Sequence, residues 1–502
     1  MSHVATRQGQ LRGSASNGVH TFLGIPYAAP IVEGNRFRPP QPRGPWDGVR
    51  DATKYGASPF QPAPPESAGS EWDVALAGED CLNLNVWTPD PGAGGLPVMV
   101  WIQGGAFEIG STAAYNGTNF ARDGVVCVVI NWRLGPDGFL DLGDGISNIG
   151  LLDQVAALEW VRDNIAAFGG DPGNVSVFGQ SAGAMSIGVP LSMPRAEGLF
   201  RRAILQSGAA HHAIPAGTAQ KIGHYFAGKL GVPPTRDAIA AVSTPRLLAA
   251  QAELKTDLIS RPDPELWGED VAASQMLWQP VIDGDVVPGR PLERIGGGAG
   301  AAVDVMVGTN TEDWKMFLAI TGVLGRVTAQ DLAEDKGVEG FPRLSAYGLP
   351  AEVALREYRS HYPANSPGEL LAAVETAWWV RIPAIRLAEA HAGAALATAA
   401  RTYMYEFGWQ APGLGAVHAV EVPFVFDTLD KNSRLFGPLL GPNPPQELAD
   451  SMHRAWVSFA STGDPGWPGY DLDRRITMLF DTEPRLIDDP YAWERVLWGQ
   501  IR

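Results

Sequence analysis

The sequence predicts an α/β fold with a central, mostly parallel sheet and helices on both of its faces. Short, almost wholly apolar runs rich in β-branched residues recur along the chain, as is typical of strands buried on both faces. A strongly periodic helix lies between two of these runs, and such strand–helix–strand alternation indicates right-handed crossovers within one sheet. The predicted strands are residues 97–102, 125–130, 175–178, 203–205, 303–307 and 402–407.

The best-defined predicted helix covers residues 149–168. Its apolar residues recur at steps of three and four, the spacing of a helix that packs one face against the core. Asn148 stands at the N-cap position, and the sequence GGDP at 169–172 ends the helix with glycine followed by proline. The residues of the apolar stripe are Leu151, Val155, Leu158, Val161, Ile165 and Phe168.

The size and composition of the chain favour one large domain. It has 502 residues, of which 45% are hydrophobic and 19% charged, so it can bury a sizeable core. Because large α/β enzymes reach this length around one sheet, we expect a single domain over 1–502. Stretches at about 211–300 and 314–400 are predicted to be helical insertions that wall a cleft above the strand ends. Residues 59–69 are expected to form a surface loop.

The net charge of −17 argues against nucleic acids and anionic membranes as partners. The N-terminal sequence lacks the pattern of a secretory signal, and no apolar run reaches the length of a membrane span. The two cysteines, Cys81 and Cys127, do not form a disulfide framework, although a bond between them stays open. We therefore expect a reduced, cytoplasmic protein.

The clearest chemical motif is Gly-Gln-Ser-Ala-Gly at residues 179–183, which fits the pattern G-x-S-x-G. It directly follows the predicted strand 175–178 and precedes helix-forming residues. This is the context of a sharp strand-to-helix turn that exposes a nucleophilic serine and requires small neighbours. Five residues of this kind can occur by chance in a glycine-rich chain, but the setting favours Ser181 as a nucleophile.

A serine hydroxyl needs a base to take its proton, and that base needs an orienting acid. With this motif, the acid and then the histidine follow the serine in the chain. Of the four histidines after residue 300, three lie in helix-like segments, namely His361, His391 and His453. His418 instead lies in a glycine-bearing loop after the predicted strand 402–407, which is a suitable place for a catalytic base.

An oxyanion-binding loop is expected after the predicted strand 97–102. Residues 103–107, Gln-Gly-Gly-Ala-Phe, follow that strand, and their small side chains would let backbone N–H groups approach a carbonyl oxygen. A plain glycine-rich turn explains the same residues equally well.

Ordered segments from end to end resemble the type-B carboxylesterase/cholinesterase-like family, and within it the bacterial para-nitrobenzyl-esterase-like members. The resemblance implies the α/β-hydrolase fold and hydrolysis of uncharged carboxylic esters. The segments that carry it include FLGIPYAAP (22–30), EDCLNLNVWTP (79–89), NWRLGPDGFL (131–140), VSVFGQSAGAMS (175–186) and GAVHAVEVPFVF (415–426).

By this resemblance, Ser181 is the nucleophile and His418 the general base. The acid falls in VGTNTEDWKMF (307–317), where Asp313 takes the acid position and Trp314 the slot usually held by glycine. Its neighbour Glu312 is the alternative acid. The implied oxyanion donors are the N–H groups of Gly105, Ala106 and Ala182.

The resemblance also implies structural roles outside the triad. Glu421 is expected to support the His418 loop, and Cys81 to be free because Ser58 occupies the region of its usual partner. Two buried ion pairs are expected, Arg36 with Glu79 and Arg133 with Asp153.

Two other functions remain as alternatives. An amidase or carbamate hydrolase would use the same triad, which the sequence does not distinguish. A non-catalytic, cholinesterase-like adhesion module is disfavoured because the triad is complete and signal and membrane segments are absent. The proposed chemistry requires neither a metal nor an organic cofactor. The natural ester and the oligomeric state, monomer or small homo-oligomer, stay open.

Overall fold

The computed structural model describes residues 1–32, 34–62, 77–338, 340–430, 436–499 and 501. Within these residues, thirteen strands form one sheet, and two short strands, β10 and β11, pair separately. The strands are β1 Ser2–Ala5, β2 Gln10–Ser16, β3 Val19–Pro26, β4 Val49–Asp51, β5 Asn83–Thr88, β6 Leu96–Ile102, β7 Val126–Ile130, β8 Gly170–Gln180, β9 Arg202–Gln206, β10 Ile214–Pro215, β11 Val281–Ile282, β12 Asp304–Asn310, β13 Thr402–Phe407, β14 Ile476–Phe480 and β15 Arg485–Asp488.

The main path through the sheet has the order β1-β2-β3-β5-β7-β6-β8-β9-β12-β13-β14-β15, with β4 paired to β2. From β7 to β14 every neighbouring pair is parallel, whereas β1, β2, β3 and β5 at one margin and β15 at the other pair antiparallel along this path. All six predicted strands are present, and the α/β-hydrolase fold is confirmed. The prediction missed the margins, where β2 and β15 are largely exposed and lack a continuous apolar run.

Helices cover the sheet and fill the connections between its strands. Helices α5 to α10 lie between β9 and β12, and α11 to α15 lie between β12 and β13. The helices are α1 Thr118–Arg122, α2 Gly135–Phe139, α3 Ile149–Asn164, α4 Ala182–Gly188, α5 Ala216–Leu230, α6 Arg236–Ala240, α7 Thr244–Ser260, α8 Pro264–Trp267, α9 Glu269–Ser274, α10 Pro291–Gly296, α11 Lys315–Ile320, α12 Ala329–Ala333, α13 Ala351–His361, α14 Pro367–Thr376, α15 Ile382–Ala395, α16 Val422–Val425, α17 Gly437–Leu440, α18 Gln446–Thr462 and α19 Ala492–Leu497.

The predicted helix at 149–168 is confirmed as α3 followed by one 3-10 turn, Ile165–Phe168, and Gly169 ends it in the left-handed region at φ 84°. Asn148 takes the predicted N-cap position, but its side chain does not form the cap. Asn148 has φ 54° and caps no helix N–H; its side-chain amide instead pairs with the backbone N–H and C=O of Val281. Asn148 therefore ties the start of α3 to β11.

The register brings the carboxyl ends of five parallel strands to one level. Ile102 at the end of β6 pairs with Gly179, and Gln180 at the end of β8 pairs with Gln206 at the end of β9. The next strand after β9 in the sheet is β12, and Asn310 at its end pairs with Phe407 at the end of β13. Loops that follow these strands therefore meet at one edge of the sheet, where α/β proteins bind ligands.

Several further predictions concern features other than the sheet. Of the described residues, none belongs to a helix with the length and apolarity needed to traverse a bilayer. Cys81 and Cys127 are free and buried, and the Ser58 hydroxyl hydrogen-bonds to that of Ser111 at 2.7 Å. Most of the predicted surface loop at 59–69 lies outside the described residues.

One predicted ion pair is confirmed and the other was wrong. Arg133 and Asp153 are fully buried, with 2.6 Å between Nη2 and Oδ1. Arg36 does not pair with Glu79. Its guanidinium instead makes a two-pronged contact with both carboxylate oxygens of Asp137, at 2.8 and 3.0 Å. This fork geometry satisfies a planar guanidinium better than a single contact does.

The buried pair gives a test of the fold. Asp153→Ala leaves the Arg133 guanidinium buried without its counter-charge, which typically costs about 3–5 kcal/mol. Urea unfolding should therefore show a loss of that size. The control is Asp163→Ala, because Asp163 pairs with Arg7, whose side chain is 66% exposed, and exposed pairs contribute about 0–1 kcal/mol. Equal, small losses in both variants would contradict the assigned role of Asp153.

Candidate active site

Ser181 lies on a strained turn between β8 and α4. Its backbone has φ 57° and ψ −129°, a conformation that non-glycine residues rarely adopt. The two neighbouring glycines cannot carry a side chain, because the backbone of β6 lies too close to them. A Cβ atom on Gly179 would lie 2.6 Å from the Ile102 carbonyl oxygen, and one on Gly183 would overlap that same oxygen. The turn therefore has the shape that the G-x-S-x-G pattern predicts.

Backbone strain is concentrated at this edge of the sheet. Besides Ser181, four other non-glycine residues with positive φ lie in the loops that follow β6, β9 and β13. Such conformations cost about 1–3 kcal/mol each and cluster at functional sites. They are Ala106 (53°), Phe107 (62°), Ser207 (48°) and Ala419 (64°).

Asp313 and His418 are in direct contact. His418 Nδ1 lies 2.5 Å from Asp313 Oδ1, and both side chains are buried. The second carboxylate oxygen, Oδ2, accepts hydrogen bonds from the Ser207 hydroxyl at 2.6 Å and from the Asn310 N–H at 2.9 Å. Because an ionised carboxylate only accepts hydrogen bonds, this geometry assigns the proton of a neutral His418 ring to Nδ1 and leaves Nε2 as an acceptor.

Glu312, the alternative acid, points elsewhere. Its Oε1 is 3.0 Å from the Lys315 ammonium, and its Oε2 accepts a hydrogen bond from the Ala416 N–H at 3.1 Å. Glu312 thus helps to hold the loop that carries His418, but its carboxylate makes no hydrogen bond to the imidazole among the described residues.

Gln180 is a contact that sequence reasoning missed. Its amide nitrogen lies 3.0 Å from His418 Nε2, the atom that would take the proton from Ser181. In the described part of the chain, Ser181 makes no side-chain hydrogen bond to His418. Contacts between catalytic groups often tighten only when substrate binds. The sequence holds no signal for this contact because the second position of G-x-S-x-G accepts many residues.

The loop after β6 packs directly on the nucleophile turn. A Cβ atom on Gly104 would lie 2.5 Å from the Gln180 carbonyl oxygen and 3.0 Å from Ser181 Cβ, so only glycine permits this approach. Within the described residues, no hydrogen bond within the protein uses the N–H groups of the three expected oxyanion donors. These free donors are Gly105, Ala106 and Ala182.

Glu421 stabilises the loop that carries His418. The side-chain amide of Asn310 donates to Glu421 Oε2 and to the Val417 carbonyl oxygen, both at 2.7 Å. Burial raises the pKa of Glu421 to about 7, and the charge of nearby Asp313 adds to the effect. Glu421 therefore contributes a buried, hydrogen-bonded anchor.

Aromatic rings flank the imidazole. The ring of Phe317 lies 5.1 Å from that of His418, and the Trp314 indole lies 5.7 Å away, edge to face. Trp314 in turn stacks on Trp379 at 4.2 Å. Other tryptophans pack on further rings: Trp267 on Tyr225, Trp278 on Phe226, and Trp378 on both Tyr347 and Trp379.

No cluster suited to a metal ion accompanies this site. Among the residues that the structure describes, no group of three or more His, Cys, Asp or Glu side chains could hold one. The polar groups gathered at this edge of the sheet are the serine hydroxyl, the imidazole, the carboxylates and the backbone N–H groups.

Comparison with known proteins identifies the family. Residues 1–487 match the sequence model of the carboxylesterase family. The chain belongs to this family. It is a serine-type hydrolase of carboxylic esters.

Individual relatives span nearly the whole of this carboxylesterase. It is 36% identical to the para-nitrobenzyl esterase of Bacillus subtilis (strain 168), over 99% of this chain and 98% of that protein. It is 34% identical to a phenmedipham hydrolase of Pseudarthrobacter oxydans, over 95% and 94%. Among solved structures, a carboxylesterase of Geobacillus stearothermophilus superposes with a TM-score of 0.85 at 36% identity, covering 99% of this chain and all of that one.

The contact of His418 with Asp313 predicts which carboxylate matters. Asp313→Asn should lower kcat by about 10⁴-fold, because an amide no longer holds the imidazole in the tautomer with its proton on Nδ1. Glu312→Gln is the matched control and should change kcat little. The measurement is steady-state hydrolysis of para-nitrophenyl acetate by both variants. A large loss in Glu312→Gln with a small loss in Asp313→Asn would assign the acid to Glu312.

Proposed function

We propose that this carboxylesterase hydrolyses uncharged carboxylic esters through an acyl-enzyme on Ser181, with His418 as the general base and Asp313 as its orienting acid. The observation that carries the proposal is the 2.5 Å hydrogen bond between Asp313 and His418 at the edge where strained Ser181 lies. Acyl transfer needs this combination of nucleophile, base and acid.

The proposed reaction has two halves. The Ser181 hydroxyl oxygen attacks the ester carbonyl carbon while His418 Nε2, released from its contact with Gln180, takes the hydroxyl proton. Three free N–H groups stabilise the oxyanion, those of Gly105, Ala106 and Ala182. The carbon–oxygen bond to the alcohol then breaks as His418 returns the proton to the leaving oxygen. Water attacks the acyl-enzyme by the same route and releases the carboxylic acid.

Two features support an uncharged substrate. The net charge of −17 disfavours anionic substrates, and the rings of Trp314 and Phe317 give the site an apolar flank. Relatives are named for action on para-nitrobenzyl esters, on phenmedipham and on fumonisin B1. The alternative activity, on amides or carbamates, would use the same residues. Parallel assays on matched esters, anilides and carbamates separate the two.

We also propose the domain organisation, the cellular location and the partners of the enzyme. The chain forms one domain, with helical insertions at about 211–300 and 314–400, and it acts in the cytoplasm on small-molecule esters without cofactor, metal or nucleic acid. The buried, unpaired thiols of Cys81 and Cys127 support a reducing compartment. The oligomeric state, monomer or small homo-oligomer, is measured directly by light scattering.

The nucleophile is tested by Ser181→Ala. Removal of the hydroxyl should lower kcat for para-nitrophenyl acetate by about 10⁶-fold, as for loss of a triad serine. The control is Ser192→Ala, because the Ser192 hydroxyl is also buried but donates to the Val189 carbonyl oxygen in a structural turn. Its kcat should stay within a few-fold of the wild-type value. Wild-type-like turnover by Ser181→Ala would overturn the proposal.

A further inference from the structure

Trp314 occupies the slot that the family resemblance assigns to glycine, directly after the proposed acid Asp313. Its indole does not point to solvent. It is 9% exposed and lies parallel to the Trp379 indole, with 4.2 Å between ring centroids and 13° between ring planes. The same indole meets the His418 imidazole edge to face at 5.7 Å. This chain therefore carries a large aromatic side chain beside the proposed general base.

The backbone around Trp314 fixes the position of the indole. The Trp314 N–H donates to the hydroxyl of Thr376, the last residue of α14, at 3.0 Å. The chain then forms a π-helix, Ala377–Arg381, which places Trp379 against Trp314. Short π-helical segments are often found at functional sites.

The π-helix is itself anchored. The guanidinium of Arg381 contacts both carboxylate oxygens of Glu494, at 2.9 and 3.0 Å, and both side chains are buried. Arg381 also donates to the Thr311 carbonyl oxygen at 2.6 Å, two residues before Asp313. The aromatic pair is therefore held to the loop of the acid on both sides, which is a rigid arrangement before any substrate binds.

The sheet order places this aromatic pair opposite the oxyanion loop. The strand that carries Ser181, β8, lies between β6 on one side and β9 and then β12 on the other. Gly105 and Ala106 follow β6, whereas Trp314 follows β12. His212, which follows β9, lies 5.1 Å from the Trp379 ring. An ester whose carbonyl oxygen faces the β6 loop can therefore place one of its substituents on the side of the aromatic pair.

We propose that Trp314 and Trp379, together with Phe317, form a subsite that selects an aryl group in the ester. This inference rests on the proposed ester hydrolysis at Ser181 and goes further by naming the part of the substrate that determines selectivity. A flat ring can stack against or meet the edge of these indoles, whereas a saturated ring of similar size gains only the burial of apolar area. Aromatic pairing adds about 0.5–1.5 kcal/mol, which corresponds to about 2- to 10-fold in kcat/KM.

The experiment compares esters that differ only in ring aromaticity. One pair varies the alcohol, benzyl acetate against cyclohexylmethyl acetate, and the other varies the acyl group, methyl phenylacetate against methyl cyclohexylacetate. In at least one pair the wild type should prefer the aryl ester by about 2- to 10-fold in kcat/KM. The pair that shows the preference identifies whether the subsite receives the acyl group or the alcohol.

The variants assign the preference to the indole. Trp314→Leu should bring the aryl-to-cyclohexyl ratio close to one, whereas Trp314→Phe should keep most of it. The matched control is Trp278→Leu, because Trp278 is also buried but its ring packs on Phe226, away from the aromatic pair; its ratio should equal that of the wild type. If Trp314→Leu does not fold, competitive inhibition of the wild type by benzyl alcohol and phenylacetate, against their cyclohexyl counterparts, tests the same preference.

The outcomes separate this inference from the proposed function. Equal rates within both ester pairs in the wild type, or an unchanged ratio in Trp314→Leu, would overturn the aryl subsite while ester hydrolysis stands. With an unfolded variant, equal inhibition by the aryl and cyclohexyl compounds would overturn it. Failure of the wild type to hydrolyse any of the four esters would contradict the proposed function itself, because hydrolysis of the saturated esters does not require an interaction with the aromatic pair.

Discussion

The buried carboxylate of Asp313 is the group on which the rest of the site depends. A carboxylate without solvent contact is costly unless hydrogen bonds replace the lost water. Here its oxygens receive the Nδ1–H of His418, the Ser207 hydroxyl and the Asn310 N–H. These donors come from the ends of β9 and β12 and from the loop after β13. The Asp313 carboxylate is therefore satisfied by donors from three separate parts of the chain, which it holds together.

That convergence is possible because the sheet is parallel and in register. Five neighbouring strands end close together, so the short loops after them bring Ser181, the N–H groups of Gly105 and Ala106, Asp313 and His418 into one region. In these loops, the backbones of Ser181 and Ser207 adopt positive φ. Strain of about 1–3 kcal/mol per residue persists only where the surrounding structure holds it. The buried strands of the sheet provide that support.

The sequence predicted the parts of this structure that depend on local pattern. Apolar runs located the six central strands, and the strand–turn–helix setting located Ser181. Pattern alone did not separate Asp313 from Glu312, because adjacent residues in one loop differ only in which way each side chain points. The prediction that Arg36 pairs with Glu79 failed for a related reason, since a long arginine side chain can reach several carboxylates and tertiary packing selects one of them, here Asp137.

Other features of the structure could not be predicted from any local sequence pattern. The π-helix that carries Trp379 is anchored by the contact of Arg381 with the distant Glu494, and the contact of Gln180 with His418 depends on the meeting of two distant loops. Trp314 was visible as a departure from the family pattern, but its place beside the imidazole follows only from the fold. Long-range contacts of this kind determine which side chains surround the residues that one chain shares with its family.

The central claim is that Asp313 holds His418 in the tautomer that leaves Nε2 free to accept a proton. Nitrogen-15 NMR of protein labelled at histidine tests this directly, with the His418 signals assigned by their loss in His418→Gln. The account predicts a protonated Nδ1 and an unprotonated Nε2 at neutral pH in the wild type, with this pattern lost in Asp313→Asn. A proton on Nε2 and none on Nδ1 in the wild type would contradict it.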